Sequence, residues 1–341
     1  MLLLAPAMAG AINVHDTRLL TQPAISKTHL AFVYAGDLWV AGLDGRNVRR
    51  LTSVQGVSNP AFSPDGTLVA FTAQYEGHAD VYTVPVAGGV PTRLTWHPAR
   101  DVVQGFTPDG SAVLFTSGRA AFTRRHTQLF TVPVTGGFPA QIEIPNADKA
   151  AYSPDGKRLA YNPIYQAFAQ WKHYRGGTTS TIWLYQFGSR AVDKVPQPAG
   201  RSNDVDPTWI GDVLYFRSDR NGEFNLFSFD TRSKTIKQLT NHDDFPVLAV
   251  SAGGGKVIYE QAGYLHVLDS TTGQHAKLTI GVTADLVDLR PRFARSARYI
   301  RAAALSPSGA RAVFEFRGDI VTVPAEQEVV RFGRACGRLA S

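Results

Sequence analysis

The feature that most restricts the fold of this 341-residue chain is a segment that repeats six times. Each copy holds four short stretches rich in β-branched and aromatic residues, separated by turn residues. Three copies contain the turn Pro-Asp-Gly, starting at Pro64, Pro108 and Pro154, with spacings of 44 and 46 residues. In such a turn proline presets φ, aspartate bonds the local backbone and glycine accepts a positive φ. A period of this length with four strands predicts one β-propeller blade per copy.

We therefore predict an all-β fold, a six-bladed β-propeller of four-stranded blades. Each copy uses a contiguous piece of sequence. We expect the ring to close by packing of the first blade on the sixth, without a strand exchanged between the ends. The predicted blades span residues 20–52, 59–95, 101–144, 148–195, 204–240 and 245–280.

Three segments lie outside the ring, which we assign to residues 12–280. Residues 1–11 are apolar and end in small residues but lack a basic start, so they predict either a truncated export signal or an apolar strand. Export would make the protein periplasmic or secreted, and the alternative is cytoplasmic. Residues 281–300 break the repeat and are predicted to be a linker. Residues 301–341 resemble an incomplete blade with an aberrant tail and no fourth strand, which indicates a fragment of a longer protein.

Composition excludes several function classes. The net charge is +7, but the basic residues are scattered and no nucleic-acid motif occurs, so we expect no nucleic-acid partner. No stretch reaches the roughly 18 apolar residues that span a bilayer, so we expect no membrane partner. The charge favours either solubility alone or attraction of acidic partners.

Sites for cofactors, metals and nucleophiles find little support. Cys336 is the single cysteine, and the nine histidines show no HxH or HExxH spacing, so we predict no metal site. Two acidic groups, at 203–206 and 243–244, fit strand-entry turns better than a weak calcium site. No glycine-rich phosphate loop opens a helix, so no cofactor is predicted. Ser117 and Ser251 lack a G-x-S-x-G setting, so we assign no catalytic residue.

A run in the fourth predicted blade resembles a known family. Residues 170–178 read QWKHYRGGT, and IWL follows at 182–184. Together with LAFVYAGDLWV in blade 1 and VVQGFTPDG at the start of blade 3, the run is similar to the N-terminal six-bladed propeller of the tricorn protease family. The similarity covers about residues 18–330. Generic TolB-type propellers share only the turns.

This resemblance implies more than the repeat does. It implies that residues 301–330 start a second, seven-bladed propeller, followed by a catalytic part with a PDZ-like domain that supplies serine and histidine residues. The whole protein would be a serine peptidase, a hydrolase acting in proteolysis, and would assemble as a hexamer. Its partners would be peptides and the downstream peptidase domains, and the six-bladed ring would offer peptides a route.

Three basic residues are candidates for binding a peptide. The family has a basic pair before the third blade, proposed to hold a peptide carboxylate, and only Arg100 stands near that place here. Arg100 could equally pair with Asp101 or face solvent. Lys172 and Arg175 lie in the long insertion of blade 4, where a loop on a rigid scaffold often carries function. In the same insertion Trp171 and Tyr174 are predicted to pack the loop onto the ring.

Two function classes follow. The first is a non-catalytic propeller module of a tricorn-like serine peptidase that guides or filters peptides and supports assembly. The alternative is a stand-alone TolB-like propeller that binds proteins in the periplasm. A propeller of the prolyl-oligopeptidase type, which gates an α/β-hydrolase, is a third and weaker reading.

Overall fold

The computed structural model describes residues 13–53, 56–122, 126–165, 173–285, 299–316, 318–325 and 331–333. The chain divides into two compact units, residues 1–285 and 286–341. No helix that is both long and apolar enough to cross a bilayer occurs in these ranges. The predicted export segment, residues 1–11, lies outside them.

The first unit consists of six antiparallel sheets, and each sheet uses four consecutive strands. We number the sheets as blades 1 to 6 in chain order. Blade 1 holds β1 (Thr21–Ile25), β2 (His29–Tyr34), β3 (Asp37–Gly42) and β4 (Arg49–Arg50). Blade 2 holds β5 (Val57–Phe62), β6 (Leu68–Ala73), β7 (Asp80–Pro85) and β8 (Thr92–Arg93). Blade 3 holds β9 (Asp101–Phe106), β10 (Ala112–Ser117), β11 (Gln128–Pro133) and β12 (Ala140–Gln141).

The other three blades follow the same plan. Blade 4 holds β13 (Lys149–Tyr152), β14 (Arg158–Asn162), β15 (Trp183–Gln186) and β16 (Val192–Lys194). Blade 5 holds β17 (Asp204–Ile210), β18 (Val213–Ser218), β19 (Asn225–Asp230) and β20 (Ile236–Gln238). Blade 6 holds β21 (Val247–Gly253), β22 (Lys256–Gln261), β23 (Tyr264–Asp269) and β24 (His275–Lys277).

The first strands of the blades form the inner wall of a ring. Each of β1, β5, β9, β13, β17 and β21 contacts the first strand of the next blade, and β21 contacts β1. The prediction of an all-β, six-bladed propeller with four-stranded blades is therefore confirmed. Within the described residues every sheet is built from one contiguous piece of chain, so no strand is exchanged at the closure.

Apolar side chains on the second and third strands fill the space between neighbouring blades. At one register position the two strands place rings opposite each other in blades 2, 3 and 5. The ring centroids are 5.8 Å apart for Phe71–Tyr82, 5.7 Å for Phe115–Phe130 and 6.1 Å for Phe216–Phe227. Such pairs combine large apolar burial with favourable ring geometry.

In blades 1 and 2 the fourth strand is followed by Leu-Thr, at residues 51–52 and 94–95, and a shared hydrogen-bond network accounts for this ending. In blade 2 the Thr95 hydroxyl donates to buried Asp80 (3.3 Å) and accepts from Val81 N (3.0 Å), while Arg93 Nη2 lies 2.7 Å from Asp80 Oδ2. Blade 1 repeats this network with Asp37 and Thr52. The network satisfies a buried carboxylate and fixes the short outer strand.

The segment before β1 attaches the start of the ring to blade 6. Thr17 N donates to Ile280 O (2.8 Å), and Val282 N donates to Thr17 Oγ1 (2.9 Å). Leu20 N donates to Gly263 O (3.2 Å). We call residues 13–20 the strap. The strap supplies single hydrogen bonds rather than a strand, so closure depends on these bonds and on side-by-side packing.

The second unit contains one described sheet, made of β25 (Ile300–Leu305), β26 (Arg311–Phe316), β27 (Asp319–Pro324) and β28 (Arg331–Gly333). The prediction that this unit lacks a fourth strand, and is in that sense incomplete, is wrong. β28 pairs with β27 from Ile320–Gly333 to Thr322–Arg331. The strand was missed because its few residues sit among turn-forming and basic ones. That the unit starts a second propeller stays a prediction.

Candidate functional site in the central cavity

The six first strands enclose a cavity of about 410 Å³ at the centre of the ring. This volume falls in the range of small-molecule and peptide pockets. Every blade contributes to the lining, which combines alanine, valine and proline with polar side chains. One polar residue from each blade in turn is Gln22, Asn59, Gln104, Lys149, Asp206 and Ser251.

Three of the inner strands carry the same irregularity. Their register shifts at a polar residue followed by proline: Gln22-Pro23 in β1, Asn59-Pro60 in β5 and Asp206-Pro207 in β17. The polar residue has φ of 50°, 52° and 56° respectively, in the left-handed region. Proline lacks an N–H to pair, which suits a bulge. Such backbone outliers concentrate at functional sites, so the bulges mark this wall as a candidate site.

The bulges are tied to one another across blades. Gln22 N donates to Glu260 Oε2 of blade 6 (3.0 Å), and Asn59 N donates to Gln22 Oε1 (2.6 Å). Desolvation raises the pKa of the buried Glu260 carboxyl, and the bond from Gln22 N opposes that rise. These bonds hold blades 6, 1 and 2 in one arrangement where they face the cavity.

Blades 4 and 5 share an ionic cluster at the wall. Asp206 Oδ2 lies 2.5 Å from Arg217 Nε, and Asp206 Oδ1 lies 3.8 Å from Lys149 Nζ. Burial alone would raise the pKa of Asp206, but the two cations outweigh it and lower that pKa. Asp206 therefore stays ionised, and both of its oxygens are occupied by protein cations.

Arg100 is exposed at the junction of blades 2 and 3, where β9 begins. It lines the central cavity and also a neighbouring cleft of about 420 Å³ that contains Gly56, His78 and Pro98. It does not pair with Asp101, because that carboxylate is bonded to Arg119. Among the described residues Arg100 makes no hydrogen bond or ion pair, and its charge opposes the rise that burial causes in the pKa of the Asp148 carboxyl. Its exposed guanidinium is open to a ligand.

The insertion of blade 4 is fastened to blade 5 by Arg175. Its Nη1 lies 2.7 Å from Asp219 Oδ2, and its Nη2 donates to Asp219 O (3.0 Å). Asn203 also donates to Asp219, through N (2.8 Å) and Nδ2 (2.9 Å). The Tyr174 ring occupies the space that a side chain at Gly176 would need, so the ring would have to move to accept one.

The predicted site residues are thus separated. Arg100 faces the cavity, whereas Arg175 has committed its charge to Asp219. Lys172 and Trp171 lie outside the described residues. A peptide-binding role for these cations and the packing role of Trp171 stay predictions.

Sequence reasoning placed Asp206 in a strand-entry turn rather than at the cavity, and it did not identify Lys149 or Arg217. For Asp206 the usable signal was the polar-Pro pair in the first strand, which occurs in blades 1, 2 and 5. A proline inside a strand of an otherwise regular repeat indicates a bulge, and bulges at an inner wall re-aim side chains.

The described lining offers charged groups and hydrogen-bond partners. It contains neither histidine nor cysteine. No group of three or more His, Cys, Asp or Glu side chains arranged for a metal ion occurs in the part of the chain that the structure describes.

Comparisons with known proteins agree on one family. Residues 17–274 match the family described as the tricorn protease N-terminal beta propeller domain. Tricorn protease homolog 1 of Streptomyces coelicolor is 30% identical over 296 residues, which is 85% of this chain and 27% of that protein. The chain thus spans about a quarter of the length of the curated relatives it matches.

Solved structures support the same fold. The crystal structure of the tricorn protease superposes with a TM-score of 0.75 at 22% identity, covering 92% of this chain and 31% of that one. The putative TolB from Agrobacterium tumefaciens gives 0.55 at 18% identity, covering 78% of this chain and 91% of that one.

Proposed function

Since the chain belongs to the tricorn protease family, through that family's N-terminal β-propeller domain, we propose that it is a non-catalytic module of a tricorn-like serine peptidase. In this role the six-bladed ring guides short peptides through its central cavity and supports assembly with the downstream peptidase domains.

The observation that carries the proposal is the central cavity. All six inner strands contribute to it, and its wall alternates small apolar residues with fixed polar groups. A peptide backbone needs hydrogen-bond partners when it leaves water, and the amides of Gln22, Asn59 and Gln104 offer them. The small residues leave room for side chains of different sizes, which suits passage rather than tight retention.

The TolB-like alternative is favoured less by the same observations. TolB shares the fold, at an identity that carries no functional argument. The sequence relatives that match most of this chain are tricorn protease homologues. A TolB-like protein would bind a partner protein on its outer surface, and narrowing the cavity would leave that binding intact.

A cavity-narrowing variant separates these functions. Leu248 lines the cavity and is half exposed, so Leu248→Trp should narrow the cavity without overpacking the core. We expect weaker binding of a fluorescent neutral hexapeptide, measured by anisotropy, with unchanged circular dichroism. Val90→Trp, at a turn where Val90 is exposed, is the matched control.

Two results would count against the proposal. One is peptide binding that is absent from the wild-type chain or unaffected by Leu248→Trp. The other is reproducible peptide hydrolysis by the purified chain, which would contradict a non-catalytic module.

A further inference from the structure

The central cavity presents more positive than negative charge. Resting on the proposed passage of peptides, we propose that it selects peptides with acidic side chains over peptides with basic ones. The proposal concerns side-chain charge along the ligand and applies to peptides whose termini are uncharged.

Four ionisable side chains with a fixed charge at neutral pH face the cavity: Arg100, Lys149, Arg217 and Asp206. Three are cationic and one is anionic, so the described lining carries a net charge of about +2 at pH 7.

Some of these charged side chains already form ion pairs with one another. Arg217 Nε lies 2.5 Å from Asp206 Oδ2, and both side chains are largely buried. We therefore do not count Arg217 as a cation that a ligand can reach. Lys149 lies 3.8 Å from the other Asp206 oxygen, at the outer limit of an ion pair, and its three N–H groups are not used up by one long contact. Arg100 is exposed to the cavity. Two cations therefore remain available, on the neighbouring strand starts of blades 3 and 4.

Two further acidic residues, Asp148 and Glu260, lie near the lining. Asp148 adjoins Lys149, and Glu260 lies behind Gln22, with one Glu260 oxygen bonded to Gln22 N (3.0 Å). Neither is among the described lining residues. Desolvation raises the pKa of both carboxyls, and the charges of Lys149 and Arg100 oppose that rise at Asp148. Of the acids near the cations, Asp206 alone belongs to the described lining, which also holds Arg100, Lys149 and Arg217.

The charge of the cavity sets the expected difference in affinity between acidic and basic peptides. A cleft with low-dielectric walls focuses the field of its charges and concentrates counter-ions about ten-fold or more. Each partly exposed cation contributes up to about five-fold in affinity for an acidic side chain. We therefore expect an acidic peptide to bind about ten-fold more tightly than a basic one at low salt.

The test uses the full chain and three hexapeptides with acetylated and amidated ends, carrying Glu-Glu, Ala-Ala or Lys-Lys at the centre. Calorimetry at 50 and 300 mM salt gives the affinities, because added salt shortens the distance over which exposed charges interact. We expect the order Glu, Ala, Lys and a smaller Glu-to-Lys ratio at the higher salt. Arg100→Gln and Lys149→Gln should each reduce the ratio, and the double variant should bring it close to one.

Controls keep the result interpretable. Lys157→Gln removes an exposed cation from the turn at the other end of blade 4 and should leave the ratio unchanged. If Lys149→Gln unfolds the protein by releasing Asp206, then Lys149→Arg should fold and keep the selectivity. Equal affinity for the Glu and Lys peptides, or a ratio that both Gln variants leave intact, overturns the inference. In that case tight binding of the Ala peptide that Leu248→Trp weakens would leave the proposed function standing. Absence of binding by all three peptides would overturn both.

Discussion

His266 takes the place that an aromatic ring occupies in other blades. It stands opposite Tyr259 in the register and stacks on it, with centroids 5.0 Å apart. His242 approaches both rings. The Nε2 atoms of the two histidines and the Tyr259 hydroxyl are buried, and within the described residues they have no hydrogen-bond partner. Desolvation first, then His242, His275 and Lys277, lowers the pKa of His266 to about 4.

The first prediction is acid sensitivity from this cluster. An unfolded histidine binds its proton near pH 6.5, whereas folded His266 does so only near pH 4. Stability is therefore full above pH 6.5 and falls as the pH drops from 6.5 to 4. Because water partly screens the ring, we expect a loss on the order of 2 kcal/mol. Desolvation also lowers the pKa of His242, and the nearby carboxylates of Asp244 and Asp243 oppose that shift.

His266→Phe should remove this pH dependence. The variant restores the ring pair of blades 2, 3 and 5 and takes away the titrating group. Urea unfolding at pH 7, 5.5 and 4.5 should show a smaller decline than in the wild-type chain. His78→Gln, at an exposed histidine, serves as the control. Equal declines in His266→Phe and wild type would rule out this cluster as the cause.

The second prediction concerns two carboxylates on one arginine. Arg93 binds Asp80, whose side chain is 0% exposed, and Glu76, whose side chain is 71% exposed. Asp80→Ala leaves Arg93 and Thr95 without their buried partner and should cost about 3–5 kcal/mol. Glu76→Gln should cost less than about 1 kcal/mol. Chemical denaturation of both variants checks this, and similar losses would contradict it.

At the residue scale the sequence showed where the paired groups lie but not their roles. The Arg-Leu-Thr endings of blades 1 and 2 were visible as a repeat, yet their partner aspartates begin a different strand. Arg100 was identified by its place before blade 3. Asp206 lies in the bulge of β17, and a bulge changes which face of a strand a residue occupies, which the alternation of residues does not show. Lys149 and Arg217 lie on other strands, β13 and β18, and come close to Asp206 only through strand pairing and blade packing.

At the element scale the turn between β21 and β22 of blade 6 differs from the Pro-Asp-Gly turns at the same place in blades 2, 3 and 4. The turn Gly253-Gly254-Gly255 packs on the turn between β1 and β2. A methyl carbon at Gly254 would lie 2.8 Å from Lys27 Cα, whereas one at Gly255 would meet nothing within 4 Å. Glycine is needed here because two backbones meet where the ring closes.

The third prediction isolates that contact. Gly254 and Gly255 both have positive φ, at 58° and 76°, so alanine strains the backbone at either position. Only Gly254→Ala should also push blade 1 away, and we expect an additional loss of about 1–3 kcal/mol relative to Gly255→Ala. Thermal unfolding of the two variants gives the difference. If the two melt together, the turns are not in close contact.

The fourth prediction concerns the insertion of blade 4. Arg175→Gln removes charge-assisted bonds to Asp219 that are worth about 1.5–3 kcal/mol. Amide exchange over residues 173–181 should accelerate, while exchange in β17 and β18 stays slow. Arg190→Gln breaks an exposed pair with Glu143 and should change neither. Unchanged exchange over 173–181 would show that the insertion is held by other contacts.

At the scale of the whole molecule, the repeat predicted the ring well. Four strands per repeat set the strand order within a blade, and six copies of the repeat set the number of blades. The blades form a ring because each one must pack on its neighbours to bury its faces. The cavity followed from the ring, but its charge did not. The fourth strand of the second unit was missed, because three residues, Arg331–Gly333, carry no pattern.

The fifth prediction is that the ring unit folds without the second unit. Every blade finds both neighbours within residues 1–285, since β21 contacts β1. A chain ending at Asp285 should unfold in one cooperative transition with a midpoint close to that of the ring in the full chain. Differential scanning calorimetry makes the comparison, and a broad or multi-step transition would speak against it.

Closure by the strap affects how the number of blades can change during evolution. Many closed rings split one sheet between the two ends of the chain, so a new repeat must be inserted inside the polypeptide. Here each sheet is encoded without interruption, and closure uses a few bonds from Thr17 and Leu20. Duplication or loss of one gene segment would add or remove a complete sheet. Blade number in this architecture is then limited by the fit of the last sheet against the first, rather than by the need to re-pair a divided one.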